Sequence, residues 1–283
     1  DCGEEYYHYN EHYCPDDDPE NHNLIHSYGY KPTPLFFPDT KQKYYLGMEL
    51  EIECRDGIDE PTEIVHKALG IRAYMKADGS LEHGFEIVTH PMNLAEYQKM
   101  DWSFLTDLKR ANARSWNTSS CGLHVHVSRT AFYNADGDNN YPHLVRFTKF
   151  IYDNQRQVER IAGRKNNHYA TFNDKGRVIP KVKFGDQSNG RYSAVNLEPD
   201  ETVEIRVFKG SLRKERVLSA IEFVTAVTEY TRQLPMIPKQ NPFAWARFVH
   251  FVTEHSETYP NLFIIMNETF IKDNDPNDQE SGE

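Results

Sequence analysis

Four short segments alternate apolar and polar residues at every second position, which is the spacing of a β-strand. They are YLGMELEIEC (45–54), GFEIVTHP (84–91), CGLHVHVS (121–128) and ETVEIRVF (201–208). Because successive side chains of a strand point to opposite faces, each segment places aliphatic residues on one face and reactive residues on the other. If the strands share a sheet, that sheet has one apolar face and one polar face.

The polar face of this sheet carries carboxylates, imidazoles and a guanidinium. Taken alone, the acidic strands are compatible with a solvent-exposed face, and Glu204 with Arg206 is compatible with an ion pair of small value. The two histidines of CGLHVHVS, side by side on one strand, more often bind metal or phosphate. The four strands together favour a functional site. Carboxylates beside imidazoles suit divalent metal ions, and arginine suits phosphate or carboxylate groups. The residues predicted on this face are Glu49, Glu51, Glu53, Glu86, His124, His126, Thr202, Glu204 and Arg206.

The segments between and after these strands follow a helical period. We predict helices over 60–69, 93–112, 142–162, 214–234 and 243–255, and a further strand over 71–77. Consecutive strands at hairpin-length spacing, with helices grouped between them, indicate the α+β class. The predicted fold is an antiparallel sheet with helices over its apolar face, and its polar face forms an open trough.

The two ends of the chain differ in composition from the globular middle, which we place at 44–270. Residues 1–43 read as a polar arm and a proline-rich linker, and 271–283 as an acidic tail typical of disorder. Cys2 and Cys14, with nearby histidines, leave two interpretations open: a remnant of a Cys/His module that binds zinc, or an extended arm. We favour the arm, because no complete pair of ligands at zinc-finger spacing occurs.

The net charge and the residue composition argue against several classes of protein function. The formal net charge of −11 argues against general binding to nucleic acid or an anionic membrane, because such binding needs clustered Lys and Arg. No stretch reaches the roughly 20 apolar residues of a membrane span. Four cysteines in 283 residues fit a reducing compartment. The usual phosphate-loop, hydrolase-elbow and dinucleotide fingerprints do not occur, so metal and arginine would handle any phosphate.

The motifs GMELEIE, ADGSLEHGFEIVTHP, SSCGLHVHVS, GRYSAVNL and TVEIRVFKGSL follow one another between Tyr44 and Tyr230. In this order they resemble the amidoligases of phages and bacteria. That family belongs to the carboxylate-amine ligases, which share the glutamine synthetase and glutamate-cysteine ligase fold. The resemblance implies a cytoplasmic enzyme, in the host cytoplasm if a phage encodes it, and an oligomer at the level of fold analogy.

The resemblance also implies a reaction. Two or more Mg²⁺ or Mn²⁺ ions would bridge the ATP phosphates, a small-molecule or peptide carboxylate would become an acyl-phosphate, and an amine would displace phosphate to form an amide. His126 would lie nearer the nucleotide, and Arg191 and Arg206 would stabilise the transferring phosphoryl group. Asp78, in ADGS, is a further catalytic candidate at the metal or amine site. The implied metal ligands are Glu49, Glu51, Glu86, His124 and Glu204.

Two alternatives stay open at this point. A metal-dependent hydrolase or phosphoesterase would use the histidine pair and the glutamates to activate water, without ATP. A binding or virion-associated protein would keep a ligase fold without activity. Carboxylates outnumber histidines, and positioning by cations and arginine needs no activated Ser or Cys, so we favour the ligase.

Overall fold

The chain folds into a mixed sheet with helices packed against its apolar face. The structure, a computed structural model, describes residues 24–81, 83–134, 136–138, 140–165, 170–173, 190, 192–234 and 243–273. Its strands are β1 Ile25–His26, β2 Leu46–Cys54, β3 Ala73–Lys76, β4 Gly84–Thr89, β5 Ala113–Arg114, β6 Gly122–Ser128, β7 Val195–Asn196 and β8 Thr202–Lys209. Its helices are α1 Asp59–Leu69, α2 Leu94–Lys99, α3 Phe104–Arg110, α4 Tyr141–Asp153, α5 Gln155–Ala162, α6 Lys214–Gln233, α7 Trp245–Glu254 and α8 Pro260–Asp273.

The sheet confirms the α+β class but is mixed, so the prediction of a purely antiparallel sheet is wrong. The strand order is β1-β3-β4-β2-β6-β8-β7, and β5 pairs with the end of β2. The exception is β1, which runs parallel to β3 with Ile25 opposite Met75. This two-residue strand comes from the segment before the globular pattern, where no alternation marks it, and Ala77 N donates to His26 O at 2.9 Å.

The apolar face of β2 packs against the helices in one hydrophobic core. Met48, Leu50 and Ile52 have no solvent exposure, and they belong to one core with helix residues such as Ile221 and Phe147. Helix α6 contacts β6 and also α2, α4, α7 and α8. Each fully buried aliphatic side chain contributes about 1.5–3 kcal/mol. The core therefore fixes the pleat of β2 and β6, and with it the direction of every polar side chain on the other face.

Two predicted long helices are broken. The segment 93–112 forms α2 and α3, because the Asp101 carboxylate accepts bonds from Ser103 N and Oγ and starts a new turn. The segment 142–162 forms α4 and α5. At that break Asn154 Nδ2 donates to Phe150 O at 2.8 Å and to Phe243 O at 2.9 Å. Asn and Asp side chains compete in this way with the helical backbone.

Helix α8, over Pro260–Asp273, was not among the predicted elements. It packs against α6, where the buried Glu222 accepts bonds from Asn261 Nδ2 and Leu262 N, both at 2.7 Å. The first 23 residues, with Cys2 and Cys14, lie outside the described residues, as do 274–283. Among the helices that the structure describes, none is long and apolar enough to cross a membrane.

Candidate metal and substrate site

The register of the central strands places the predicted side chains side by side on the face opposite the core. Glu49 on β2 lies opposite His124 on β6, and Glu51 lies opposite Glu86 on β4. Strand pairing thus joins residues that are up to about 155 positions apart in the chain. We call the resulting group the ligand strip: Glu49, Glu51, Asp78, Glu86, His124, His126 and Glu204.

One half of the ligand strip is held together by imidazoles. His124 Nδ1 lies 3.3 Å from Glu49 Oε2 and 3.3 Å from Glu204 Oε1. His126 Nε2 lies 3.3 Å from Glu49 Oε1. The other nitrogen of that ring, Nδ1, lies 3.0 Å from Thr202 Oγ1, which fixes its orientation. This imidazole half therefore contains two histidines between two carboxylates.

Strand β8 adds an arginine at the edge of the imidazole half. Arg206 Nη1 and Asn196 Nδ2 both donate to the Glu204 carboxylate, the second at 2.7 Å. Beside them the pairing of β6 with β8 shifts register. Arg164 donates to the carbonyl oxygens of Arg206 and Val207 at 2.6 and 3.0 Å, so it bonds the backbone where the ladder is irregular. The Arg206 residue is thus held at both its side chain and its backbone.

The other half of the ligand strip is acidic. Atoms of Glu51, Asp78 and Glu86 lie within 4.8 Å of one another. Lys76 Nζ lies 3.2 Å from Glu86 Oε2 and is a cation paired with this half. The backbone N–H of Gly122 donates to Glu51. Asp78 accepts hydrogen bonds from Ser80 N and Oγ, and the Arg164 guanidinium attracts the Glu51 carboxylate. Among the described residues, the three carboxylates therefore share two nearby cations.

Burial gives this concentration of charge a free-energy cost. Glu51, Glu86, His124 and Glu204 are between 3% and 6% exposed. Removing an ionised group from water costs several kcal/mol unless it is paired, hydrogen-bonded or bound to a cation. The neighbours described above compensate for part of that cost.

The pKa values of Glu49 and Glu86, one glutamate in each half, move in opposite directions. Burial, together with the nearby charge of Glu49, raises the pKa of Glu86 to about 9. Burial also opposes ionisation of Glu49, but the imidazoles of His126 and His124 hold the pKa of this carboxyl well below its usual range. In return, the Glu49 carboxylate outweighs burial at His126 and raises the pKa of that ring.

The ligand strip fits divalent cations. His126 Nε2 is buried without a hydrogen-bond partner among the described residues, although Glu49 Oε1 lies 3.3 Å away. Carboxylate oxygens with one imidazole nitrogen suit Mg²⁺ or Mn²⁺. Three overlapping sets have ligand atoms within 4.8 Å of one another: Glu49, His126 and Glu204; Glu49, Glu86 and His124; and Glu51, Asp78 and Glu86.

A cavity of about 370 Å³ opens beside the ligand strip. This volume lies in the range of small-molecule sites. Gly122 leaves room there, because a Cβ at this position would lie 3.1 Å from His124 Nε2 and 3.3 Å from Glu51 Oε2. The cavity is lined by Tyr28, Glu51, Asp78, Gly79, Ser80, Ser120, Gly122, His124, Arg164, Tyr192 and Arg206.

Three of the predicted face residues lie outside the three ligand sets: Glu53, Thr202 and Arg206. Glu53 accepts a hydrogen bond from Ser120 Oγ, and Thr202 orients His126. Arg191 lies outside the described residues. The other predicted site residues, Asp78 among them, meet in the ligand strip or, for Arg206, at its edge.

Sequence reasoning missed Lys76. For Arg164, in the polar loop after α5, the sequence leaves both a binding role and simple solvation open. Lys76 ends the short strand AYMK, and only the pairing of β3 with β4 shows that it faces Glu86. Burial lowers the pKa of Arg164 to about 10, and its guanidinium bonds backbone carbonyls rather than a sequence neighbour. Neither residue belongs to a recognisable motif.

Neither a protein-family model nor a curated protein sequence matches this chain. It is similar to a solved structure described as "Crystal structure of novel glutamine synthase homolog", with a TM-score of 0.36 and 10% sequence identity. The similarity covers 80% of this chain and 64% of that one, so the chain spans less than two thirds of that protein's length. Membership of the amidoligase family stays a prediction from the motifs.

Proposed function

We propose that this protein is a metal-dependent ligase that uses ATP to activate a carboxylate and then joins it to an amine. The observation that carries the proposal is the ligand strip: overlapping sets of buried and half-buried carboxylates and imidazoles, with Arg206 at their edge and a cavity beside them. The motif resemblance to amidoligases points to the same chemistry.

The ligand strip would hold more than one divalent cation. Glu49, His126 and Glu204 would bind in the imidazole half, and Glu51, Asp78 and Glu86 in the acidic half. When bound, the ions supply Lewis acidity and neutralise phosphate charge. The residues themselves contribute a fixed geometry, because the strand register and the apolar core set where each ligand atom lies.

Arg206 and Lys76 supply fixed positive charge on two sides of the site. Transfer of a phosphoryl group to a carboxylate gathers negative charge on the oxygens of both groups, and charges oriented in advance stabilise it most. Glu204 orients the Arg206 guanidinium, whose planar fork suits phosphoryl or carboxylate oxygens. Lys76 reaches the strip from the opposite side, next to Glu86.

Activation by ATP also agrees with the cysteines that the structure describes. Burial raises the pKa of Cys54 and Cys121 to about 11, so neither is a thiolate near neutral pH. A covalent thiol route therefore has no support from these two residues. Phosphorylation of the substrate carboxylate needs no protein nucleophile, only positioning and charge.

The test is release of ADP from ATP with Mg²⁺ or Mn²⁺, in the presence of pooled amino acids, polyamines and peptides. We expect turnover that depends on the metal and the added substrates, with an amide product by mass spectrometry. Glu49→Gln should lower it about 100-fold or more, because Glu49 belongs to two ligand sets. Glu63→Gln, an exposed change on α1, should leave it intact.

Two results would overturn the proposal. Phosphate release from phosphoesters without ATP would instead support the hydrolase alternative. Absence of turnover, together with absence of any shift in thermal unfolding by ATP and Mg²⁺, would support a binding protein, because a bound ligand stabilises the native state by mass action.

A further inference from the structure

A second cavity, outside the ligand strip, carries the opposite charge. It measures about 470 Å³ and is formed by residues of 109–117 and 211–216. No acidic residue of the described chain lines it, although the whole sequence has a net charge of −11. We call it the basic cavity, after its four cations: Lys109, Arg114, Arg213 and Arg216.

Carboxylates balance only part of this charge. Arg213 Nη2 pairs with Glu268 at 2.9 Å, and its Nε bonds a second carboxylate at the start of α6. Arg216 Nη2 lies 4.0 Å from Glu268. Among the described residues, Lys109 and Arg114 form no ion pair with a carboxylate. Four cations thus face two carboxylates, and the basic cavity keeps excess positive charge.

The Trp116 ring in the wall of the basic cavity contacts one of its cations, Arg216, and the neighbouring Lys209. Lys209 Nζ and Arg216 Cζ lie 4.8 and 5.5 Å from the ring centroid of Trp116, which is cation–π geometry. Gly163, at φ +75°, packs against the same ring, and a Cβ there would lie 2.5 Å from Trp116 Cη2. Ser115 Oγ donates to the backbone of β2 at 2.8 Å. The wall is therefore arranged before any ligand arrives.

We propose that the basic cavity binds a multiply charged anion, the chemistry shared by phosphate esters and polycarboxylates. Guanidinium groups bind such oxygens in pairs, and the Asn117 and Ser211 side chains at the wall add polar contacts. The excess of positive charge favours a ligand with more than one negative charge. This site is separate from the ligand strip, which is acidic and repels free anions, so the proposal does not depend on the ligase activity.

Calorimetric titration of the full chain with pyrophosphate and, separately, with citrate tests this site. The protein is first stripped of divalent ions on a chelating resin, so that the ligand strip cannot bind the anion through a metal. At 150 mM NaCl, which screens weak surface attraction, we expect at least one of the two to bind with a Kd below about 1 mM. Binding of pyrophosphate alone assigns a phosphate ligand, and binding of citrate alone assigns a polycarboxylate.

Three variants make the test specific to the basic cavity. Arg114→Gln should weaken binding about tenfold, because Arg114 forms no ion pair with a carboxylate of the described chain and is available to the anion. Glu268→Gln should tighten it several-fold, because it frees Arg213 and Arg216 from that carboxylate. Arg247→Gln, the same charge change on an exposed part of α7, should change it less than about twofold.

Circular dichroism checks that each variant is folded, and Glu268→Gln decides the test if Arg114→Gln does not fold. The proposal is wrong if neither anion binds. It is also wrong if the wild-type affinity is unchanged in both cavity variants, or if Arg247→Gln weakens binding as much as Arg114→Gln.

Discussion

The imidazole half and the acidic half of the ligand strip both remove carboxylates from water, but their neighbours compensate for that charge differently. In the imidazole half, His124 and His126 lie between Glu49 and Glu204, and the pKa of Glu49 falls well below its usual range. In the acidic half, burial and neighbouring carboxylates raise the pKa of Glu86 to about 9. Both glutamates lie on adjacent strands of one face, so their partners and not their residue type set their ionisation.

This difference suggests a division of roles. The imidazole half is balanced by the protein itself and should keep its geometry without metal. Among the described residues, the acidic half has three carboxylates but two nearby cations, Lys76 at Glu86 and Arg164 near Glu51. A divalent cation would relieve this repulsion, and so metal should affect the acidic half more.

The largest expected effect is a difference in turnover between two variants: one changes a glutamate of the ligand sets, and the other changes a glutamate on the same face outside them. Glu204→Gln should lower metal-dependent turnover about 100-fold or more, because Glu204 lies among His124, Asn196 and Arg206. The measurement is the initial rate of ADP release at saturating ATP and Mg²⁺.

Glu53→Gln is the matched control for that change. It lies on the same face of β2 but outside the three ligand sets, and a glutamine there can still accept the bond from Ser120. Its turnover should stay within about threefold of wild type. Equal losses in the two variants would contradict the assignment of the ligand strip.

A smaller effect is expected at the edge of the imidazole half. Arg206→Lys keeps the positive charge but loses the planar fork of donors. We expect kcat to fall about tenfold, which corresponds to about 1.4 kcal/mol of transition-state stabilisation, with little change in metal affinity. Arg247→Lys, on the exposed side of α7, is the control. An unchanged kcat in Arg206→Lys would remove this residue from the reaction.

The smallest effect is on stability and concerns the acidic half. Between its usual pKa of 4.5 and its folded value of about 9, the Glu86 carboxyl binds more protons in the folded than in the unfolded state. This group therefore makes the protein less stable as the pH rises through that range. Without metal, Glu86→Gln should raise the free energy of unfolding at pH 7 by about 1–3 kcal/mol and have little effect near pH 4.

Urea unfolding of the chelator-treated protein at the two pH values measures this difference. With saturating Mn²⁺ the sign should reverse, because the wild type then gains a ligand that the variant lacks. The same pH dependence in wild type and variant would show that Glu86 is not the group responsible.

Much of the site was predictable because a strand has only two faces. The alternation in GMELEIE and CGLHVHVS was enough to place Glu49 and His124 on one side and Leu50 and Val125 on the other. Alternation carries no information about which strands are neighbours. The contact of Glu86 with Lys76 depends on the pairing of β3 with β4, so it was found only in the structure.

Sequence reasoning missed other fold elements because they depend on contacts between distant segments. Asn154 interrupts a continuous apolar stripe through bonds to Phe150 O and to Phe243 O, the second nearly 90 residues away. The parallel β1 is two residues long and has no period to detect. Helix α8 pairs with α6 partly through the buried Glu222, a contact between distant residues. Each depends on tertiary contacts that a single segment does not encode.

Calorimetric titration of Mn²⁺ into the metal-free chain tests the central claim most directly. The account predicts saturable binding of more than one ion per chain in the wild type. Affinity should fall about tenfold or more in Glu49→Gln, which removes a ligand from two sets, and stay unchanged in Glu53→Gln. Absence of binding to the wild type, or equal affinity in Glu49→Gln and wild type, would contradict the metal site and the ligase proposal that rests on it.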